Sequence, residues 1–186
     1  YFTSTGEHGE PYHHELATYA KESGAKLAFQ PGTFQIKLSA DGKIPDIYEA
    51  SELFFCNKEE AQRILKNDST DMKVLLAEMR KLGPKIVAIT DGPKGAWMMS
   101  AEGAWMIPMY PDPAPPKNRT GAGDAFASTI TAMLAAGLSV PEALIRGPIN
   151  SAMVVQQIGA QKGLLPREDL EAWLAKAPAD YKISTL

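Results

Sequence analysis

The chain has 186 residues, 45% of them hydrophobic, which suits one compact domain with a sizeable core and argues against disorder. Its formal charge is −3, with Lys and Arg scattered singly, so no basic stripe follows a phosphate backbone and nucleic acid is not an expected partner. A single cysteine, Cys56, permits no intrachain disulfide, thiolate zinc site or CxxC redox pair, which suits a reducing, cytoplasmic compartment.

The chain opens at Tyr1-Phe2-Thr3-Ser4 with no initiator methionine and no signal-like segment. This start reads as the middle of a strand, and the chain as a fragment of a longer protein. His8, His13 and His14 follow in a Gly- and Glu-containing stretch that reads as a solvated loop and helix start rather than a metal site, since His13 and His14 are adjacent and not one helical turn apart. Leu16 to Ser23 is helical and stops at Gly24; Lys26 to Phe29 is a strand ended by Pro31-Gly32. The apolar run Leu53 to Cys56 has the composition of a buried parallel strand and feeds a polar helix, Lys58 to Leu65. Met72, Leu75, Leu76 and Met79 form a helical stripe within 71–82, which Gly83-Pro84 stops before the strand Ile86 to Thr90.

Two short strands are expected at Ala96 to Met99 and Ala104 to Ile107, with their Met and Trp residues in a core or interface. A proline-rich loop from Pro108 to Pro116 cannot extend a ladder. A long helix runs from Ala122 to Ala136 and stops at Gly137. Ser139 and Glu142 make a capping box for the next helix, which is broken or restarted at Gly147-Pro148 and reaches about Gln157. Arg167 to Ala175 is a final helix. Helices alternating with strands predict an α/β fold on a parallel sheet. No repeat or linker divides the chain, so 1–186 reads as one domain. The longest apolar runs, 74–77 and 86–89, are too short to cross a bilayer, so no membrane partner is expected.

The segment Arg119-Thr120-Gly121-Ala122-Gly123-Asp124-Ala125-Phe126 carries the clearest chemistry. Small residues at a helix start leave the N–H groups of Gly121, Ala122 and Gly123 unobstructed at the positive end of the helix dipole, where they can hold an anion such as a phosphoryl group. Asp124 beside them can accept the proton of an attacking hydroxyl. A tight glycine turn with an aspartate complementing the dipole is the plainer reading of the same residues. A Walker loop would need Gly-Lys-Ser/Thr where this segment has Gly-Asp-Ala. A dinucleotide fingerprint would need a third glycine where Phe126 stands, so NAD is not expected.

Asn118 to Asp124 resembles the second signature of the PfkB/ribokinase family of carbohydrate and nucleoside kinases, Asp-Thr-x-Gly-Ala-Gly-Asp. Two further segments match in the family's order. Asn57-Lys58-Glu59-Glu60 resembles its Asn-x-x-Glu motif, and Thr90-Asp91-Gly92-Pro93-Lys94-Gly95 its Thr-x-Gly-x-x-Gly turn; alone, these would be a polar helix start and a hairpin turn. Asn150 and Gly159 to Gly163 more weakly resemble the helix and loop that flank the adenine.

The resemblance implies a three-layer αβα ribokinase-like core with a mostly parallel sheet, lacking the N-terminal strands and the substrate lid. It implies an ATP-dependent phosphotransferase acting on a hydroxyl of a sugar or nucleoside. Asp124 would be the catalytic base, and Gly121, Ala122 and Gly123 the anion hole. Thr90, Gly92, Gly95, Thr120 and Asn150 would bind the nucleotide, and Asn57 and Glu60 would organise Mg²⁺. Asn118-Arg119 replaces the family's Asp-Thr, and loss of that carboxylate weakens the case for K⁺. An incomplete sheet would expose an edge, which implies a homodimer, a further N-terminal segment, or helices over that edge. Nucleotide binding without turnover, and an unrelated α/β binding domain, are the other readings.

Overall fold

The computed structural model describes residues 9–186; the strand expected at the start of the chain, and His8, lie outside them. The α/β class holds. Strands β1 (Leu27–Phe29), β2 (Ser51–Asn57), β3 (Ile86–Thr90), β4 (Ala96–Met99), β5 (Ala104–Ile107) and β6 (Ser184–Thr185) follow one another in the sheet in sequence order. The β1/β2 and β2/β3 pairs are parallel and the β5/β6 pair is antiparallel, so the sheet is mixed. The helices are α1 (Gly9–Ser23), α2 (Thr33–Ala40), α3 (Pro45–Ala50), α4 (Lys58–Leu65), α5 (Met72–Lys81), α6 (Ala122–Ala135), α7 (Val140–Leu144), α8 (Gly147–Val154) and α9 (Arg167–Ala175).

Several expected boundaries match: α4 and α9 coincide with their expected spans, and the helix expected to break at Gly147-Pro148 is two helices, α7 and α8. Ser139 and Glu142 form the expected capping box, with the Glu142 carboxylate accepting the Ser139 N–H at 2.8 Å. Helix α1 begins earlier than its apolar residues suggest, because Pro11 is tolerated in a first helical turn and Glu10 complements the dipole there.

Two compact units divide the chain, one comprising residues up to Asp91 with 97–104 and 186, the other 92–96 and 105–185. The first is built on β1 to β3. Phe54 and Ile89 are fully buried, and Phe29, Tyr48 and Phe54 form an aromatic triad with ring centroids 5.1 to 5.9 Å apart. Tyr48 keeps its polar end satisfied by donating to Ser39 Oγ at 2.6 Å, and burial pushes its hydroxyl well above the ordinary tyrosine range. Leu75, Leu76 and Met79 of α5 are fully buried in this core, as the helical stripe predicted.

In the second unit, α6 buries Phe126, Ile130 and Met133, and α8 is buried along most of its length. Its C-terminal stretch is pinned by aromatics. Tyr110 donates to the Trp173 carbonyl at 3.0 Å and Tyr181 to the Ile145 carbonyl at 2.6 Å, with the two tyrosine rings edge-on at 4.9 Å. Arg146 holds Glu171 through two hydrogen bonds, 2.7 and 2.8 Å, and the guanidinium keeps the Glu171 carboxyl below its usual range.

A carboxyl whose folded value lies below its unfolded one stabilises the fold above the unfolded value, and loses that contribution as pH falls through the folded one. The Glu171 side chain is 38% exposed, so the pair contributes no more than about 1 kcal/mol. Glu171→Gln is expected to lower the urea midpoint slightly at pH 7. The difference from the unsubstituted chain closes as pH falls below the ordinary glutamate range.

Candidate functional site

In the first unit, β2 and β3 end side by side: Asn57 pairs in register with Thr90, so both stand at the carboxyl ends of parallel strands. Open α/β sheets present their ligand-binding loops at that end. Asn57 turns the chain from strand to helix by capping α4. Its Oδ1 accepts the Glu60 N–H at 2.9 Å while Glu60 Oε2 accepts the Asn57 N–H at 2.8 Å. The reciprocal bonds fix the two side chains together. Next to them Lys58 Nζ lies 3.6 Å from Asp91 Oδ2, joining the residues that follow Asn57 and Thr90. Sequence alone does not pair these two residues, although they lie within the Asn57–Glu60 and Thr90–Gly95 segments.

Burial raises the Glu60 carboxyl above its usual range, opposed by the bond from the Asn57 backbone and by the Arg63 charge. A desolvated carboxylate at a strand end is a hard oxygen donor whose charge a divalent cation offsets. That chemistry fits Mg²⁺, which binds through one or two carboxylates together with phosphate and water oxygens. Among the described residues no group of three or more His, Cys, Asp or Glu side chains is gathered for a metal, so a cage made wholly of protein ligands is not the fit. His13 is buried with Nδ1 2.5 Å from the Gly9 carbonyl, and His14 faces Asp46 at 2.7 Å, so these two are engaged within the fold. Asn57→Ala is expected to destabilise the chain by about 1 kcal/mol, with Asn57→Asp restoring most of it, as read by urea unfolding.

Gly92 and Gly95 belong to the second unit. Gly92 opens and Gly95 follows a 3₁₀ turn over Gly92–Lys94, with φ of 51° and 105°, and Gly95 is buried. A Cβ at Gly95 would overlap the Ile107 carbonyl oxygen, so only glycine lets the chain pass.

The Gly121 segment is built from several directions within the second unit. The Lys117 and Asn118 N–H groups both donate to the Val155 carbonyl, at 2.8 and 3.2 Å, and Asn118 Oδ1 accepts the Thr120 N–H at 2.8 Å. Gly121 is the N-cap of α6 with φ 87°, and a Cβ there would lie 2.6 Å from the Ala160 carbonyl oxygen. Ala122 and Asp124 are half-buried, whereas Thr120 and Gly123 are exposed. Asp124 occupies the first turn of α6, beside N–H groups that have no intrahelical acceptor. A turn of this kind can hold an anion, with a carboxylate placed to take up a proton.

Asn150 is buried, and its amide is used at both ends: Nδ2 donates to Thr129 Oγ1 at 2.8 Å and Oδ1 accepts the Leu165 N–H at 2.9 Å. It holds the 159–165 loop instead of presenting a free polar face. Its neighbour Ser151, which the sequence reading passed over, donates to the Ala122 carbonyl at 2.8 Å. The structure therefore groups Asn57, Glu60 and Thr90 in the first unit. In the second it groups Thr120 to Asp124 with α8, and leaves Gly92 and Gly95 in a turn of their own.

Known proteins share this fold. A ribokinase from Mus musculus is 30% identical over 164 residues, covering 84% of this chain and 48% of that protein. A ribokinase-type protein of E. coli, solved in complex with ATP and Mg²⁺, superposes with a TM-score of 0.80 at 20% identity, over 92% of this chain and 56% of the other. Ribokinase of Arabidopsis thaliana, solved with ribose and ATP, gives 0.76 at 20% identity, over 89% and 52%. At such identities the two structures speak for the fold alone. The chain spans about half the length of these relatives. The model of the pfkB family carbohydrate kinases matches residues 7–167, a span that holds the Asn57 and Gly121 segments together with Asn150, and the chain belongs to that family.

Proposed function

We propose that the chain carries the nucleotide-binding and base-bearing part of an ATP-dependent kinase that phosphorylates a hydroxyl of a sugar or related small molecule. The observation that carries this reading is the Gly121 turn, whose positive φ and close approach to Ala160 open α6 with Asp124 in its first turn; of the N–H groups there, that of Ala122 makes a long 3.4 Å contact with the Arg119 carbonyl. Family membership supports it, as do the ATP complexes of two structural relatives.

In this reading the acceptor hydroxyl gives its proton to Asp124 as its oxygen bonds to the γ-phosphorus and the bond to the β,γ-bridging oxygen breaks. The Gly121, Ala122 and Gly123 N–H groups face the negative charge of the transferring group, where preorganised donors contribute most. Thr90, Gly92, Gly95 and Thr120 approach the nucleotide through backbone and hydroxyl, and Asn150 contributes through the Leu165 loop that it anchors. Asn57 and Glu60 would hold Mg²⁺, which would offset the charge of the nucleotide phosphates when bound. Asn118 is neutral and its Oδ1 accepts the Thr120 N–H, which weakens the case for K⁺.

Among the described residues no helix is long and apolar enough to cross a membrane. A cytoplasmic setting and a sugar or nucleoside acceptor belong to the same proposal. The test is ATP-dependent phosphorylation across a panel of pentoses, hexoses, sugar phosphates and nucleosides. Turnover that requires Mg²⁺ is expected for one class; ATP binding with no turnover on any would instead assign the chain to nucleotide binding alone.

A further inference from the structure

We propose that Ser151 is a positioning residue for the anion-binding turn, fixing the first turn of α6 from α8. The proposal rests on the reading of Gly121 to Asp124 given above. Ser151 is half-buried, and its hydroxyl has two acceptors in reach: the Gly147 carbonyl of its own helix at 3.3 Å and the Ala122 carbonyl at 2.8 Å. The shorter contact is the better hydrogen bond, and it links residues 29 apart in sequence. The Ala122 carbonyl belongs to the peptide whose nitrogen side is Gly123, so holding this oxygen sets the direction in which the Gly123 N–H points.

The rest of α8 acts on the same turn. The Val155 carbonyl at its C-terminal end accepts from Lys117 and Asn118, just ahead of the turn, and Asn150 holds the 159–165 loop through Leu165. Ala160 in that loop packs on Gly121. Three consecutive supports therefore reach the turn from one helix and the loop after it. The Val155 support is a backbone contact that side-chain substitution leaves in place, and the Asn150 support runs through a buried amide that also holds Thr129, whereas Ser151 touches the turn directly through a hydroxyl that a substitution removes cleanly.

Loss of the hydroxyl leaves the donors present but loosely aimed. That effect should be smaller than the loss of a donor, which costs about 10²–10³ in kcat. Ser151→Ala is expected to lower kcat about ten-fold while leaving KM for ATP within about two-fold, and Ser151→Thr, which keeps the hydroxyl, is expected to restore it.

A second readout needs no turnover. Backbone ¹⁵N order parameters at Gly121 to Gly123 should sit near the rigid value of about 0.85 in the unsubstituted protein and fall toward about 0.6 in Ser151→Ala. They should recover in Ser151→Thr. Unchanged order parameters in Ser151→Ala overturn the proposal, as does a loss of kcat, KM and melting temperature together that threonine does not rescue. Retained phosphotransfer in Asp124→Asn would remove the reading of Asp124 as base; the order parameters would still decide whether Ser151 fixes the turn.

Discussion

Asp124→Asn is expected to lower the phosphotransfer rate by about 10²–10⁴, the contribution of a positioned general base, with little change in nucleotide affinity. Asparagine matches aspartate in size and keeps its place in the first turn of α6, but it cannot accept the proton of the attacking hydroxyl. The substitution also removes a negative charge from the positive end of the helix, which costs about 0.3–1 kcal/mol of stability. The two effects separate cleanly: steady-state kinetics report the first and thermal unfolding the second. A merely structural Asp124 would lose stability by the same small amount and leave the rate within a few-fold of the unsubstituted enzyme.

Gly121→Ala is the second large effect. Alanine at φ 87° occupies the left-handed region at a cost of about 1–2 kcal/mol. Its Cβ would also meet the Ala160 carbonyl oxygen at 2.6 Å and the Ala160 Cα at 2.7 Å, so the 159–165 loop or the turn itself must move. Gly137 provides the control. Its φ is 88°, but nothing lies within 4 Å of an added Cβ, so Gly137→Ala carries the backbone strain without the collision. Gly121→Ala is therefore expected to lose roughly 2–4 kcal/mol, beyond the roughly 1–2 kcal/mol of Gly137→Ala, by urea unfolding followed by circular dichroism. Only the Gly121 change should abolish phosphotransfer. Equal losses for the two glycines would mean that the Gly121–Ala160 contact imposes no constraint.

Much of the fold was legible because its elements follow the local rules. The α5 stripe of Met72, Leu75, Leu76 and Met79 has helical spacing and ends at Gly83-Pro84, and the structure buries those side chains as the spacing requires. Helix α2 was missed for the converse reason. Phe34, Ile36 and Leu38 alternate as a strand would, yet the segment is helical, with its start fixed by Gln35 Oε1 accepting the Gly32 N–H at 3.2 Å. Helix α3 is a six-residue piece with no room for a period, announced only by Pro45 in its first turn. Strand β6 is Ser184-Thr185, with no apolar signal at all, and exists because β5 offers Trp105 and Met106 as partners.

The candidate site divides along the same line. Gly121 to Asp124 stood out as a helix start because that chemistry is local, confined to a few consecutive residues, whereas Asn57 and Glu60 were picked out by resemblance and alone read as a polar helix start. Asn150 was picked out by resemblance to an adenine-flanking helix, but its contacts are with Thr129 and Leu165, 21 and 15 residues away, which no local pattern encodes. Ser151 escaped for the same reason, and Ala160, read only as part of a loop flanking the adenine, was not tied to Gly121: each acts on the Gly121 turn from across the second unit. His13 and His14 were read as part of a solvated loop and helix start; both lie within α1, where His13 is buried against the Gly9 carbonyl and His14 faces the Asp46 carboxylate.

Calorimetric titration of the chain with a non-hydrolysable ATP analogue, with and without Mg²⁺ and with Glu60→Ala alongside, tests the central claim most directly. The account predicts saturable binding that weakens when Mg²⁺ is withheld or Glu60 is truncated. Absence of binding heat from a chain shown by circular dichroism to be folded would contradict it.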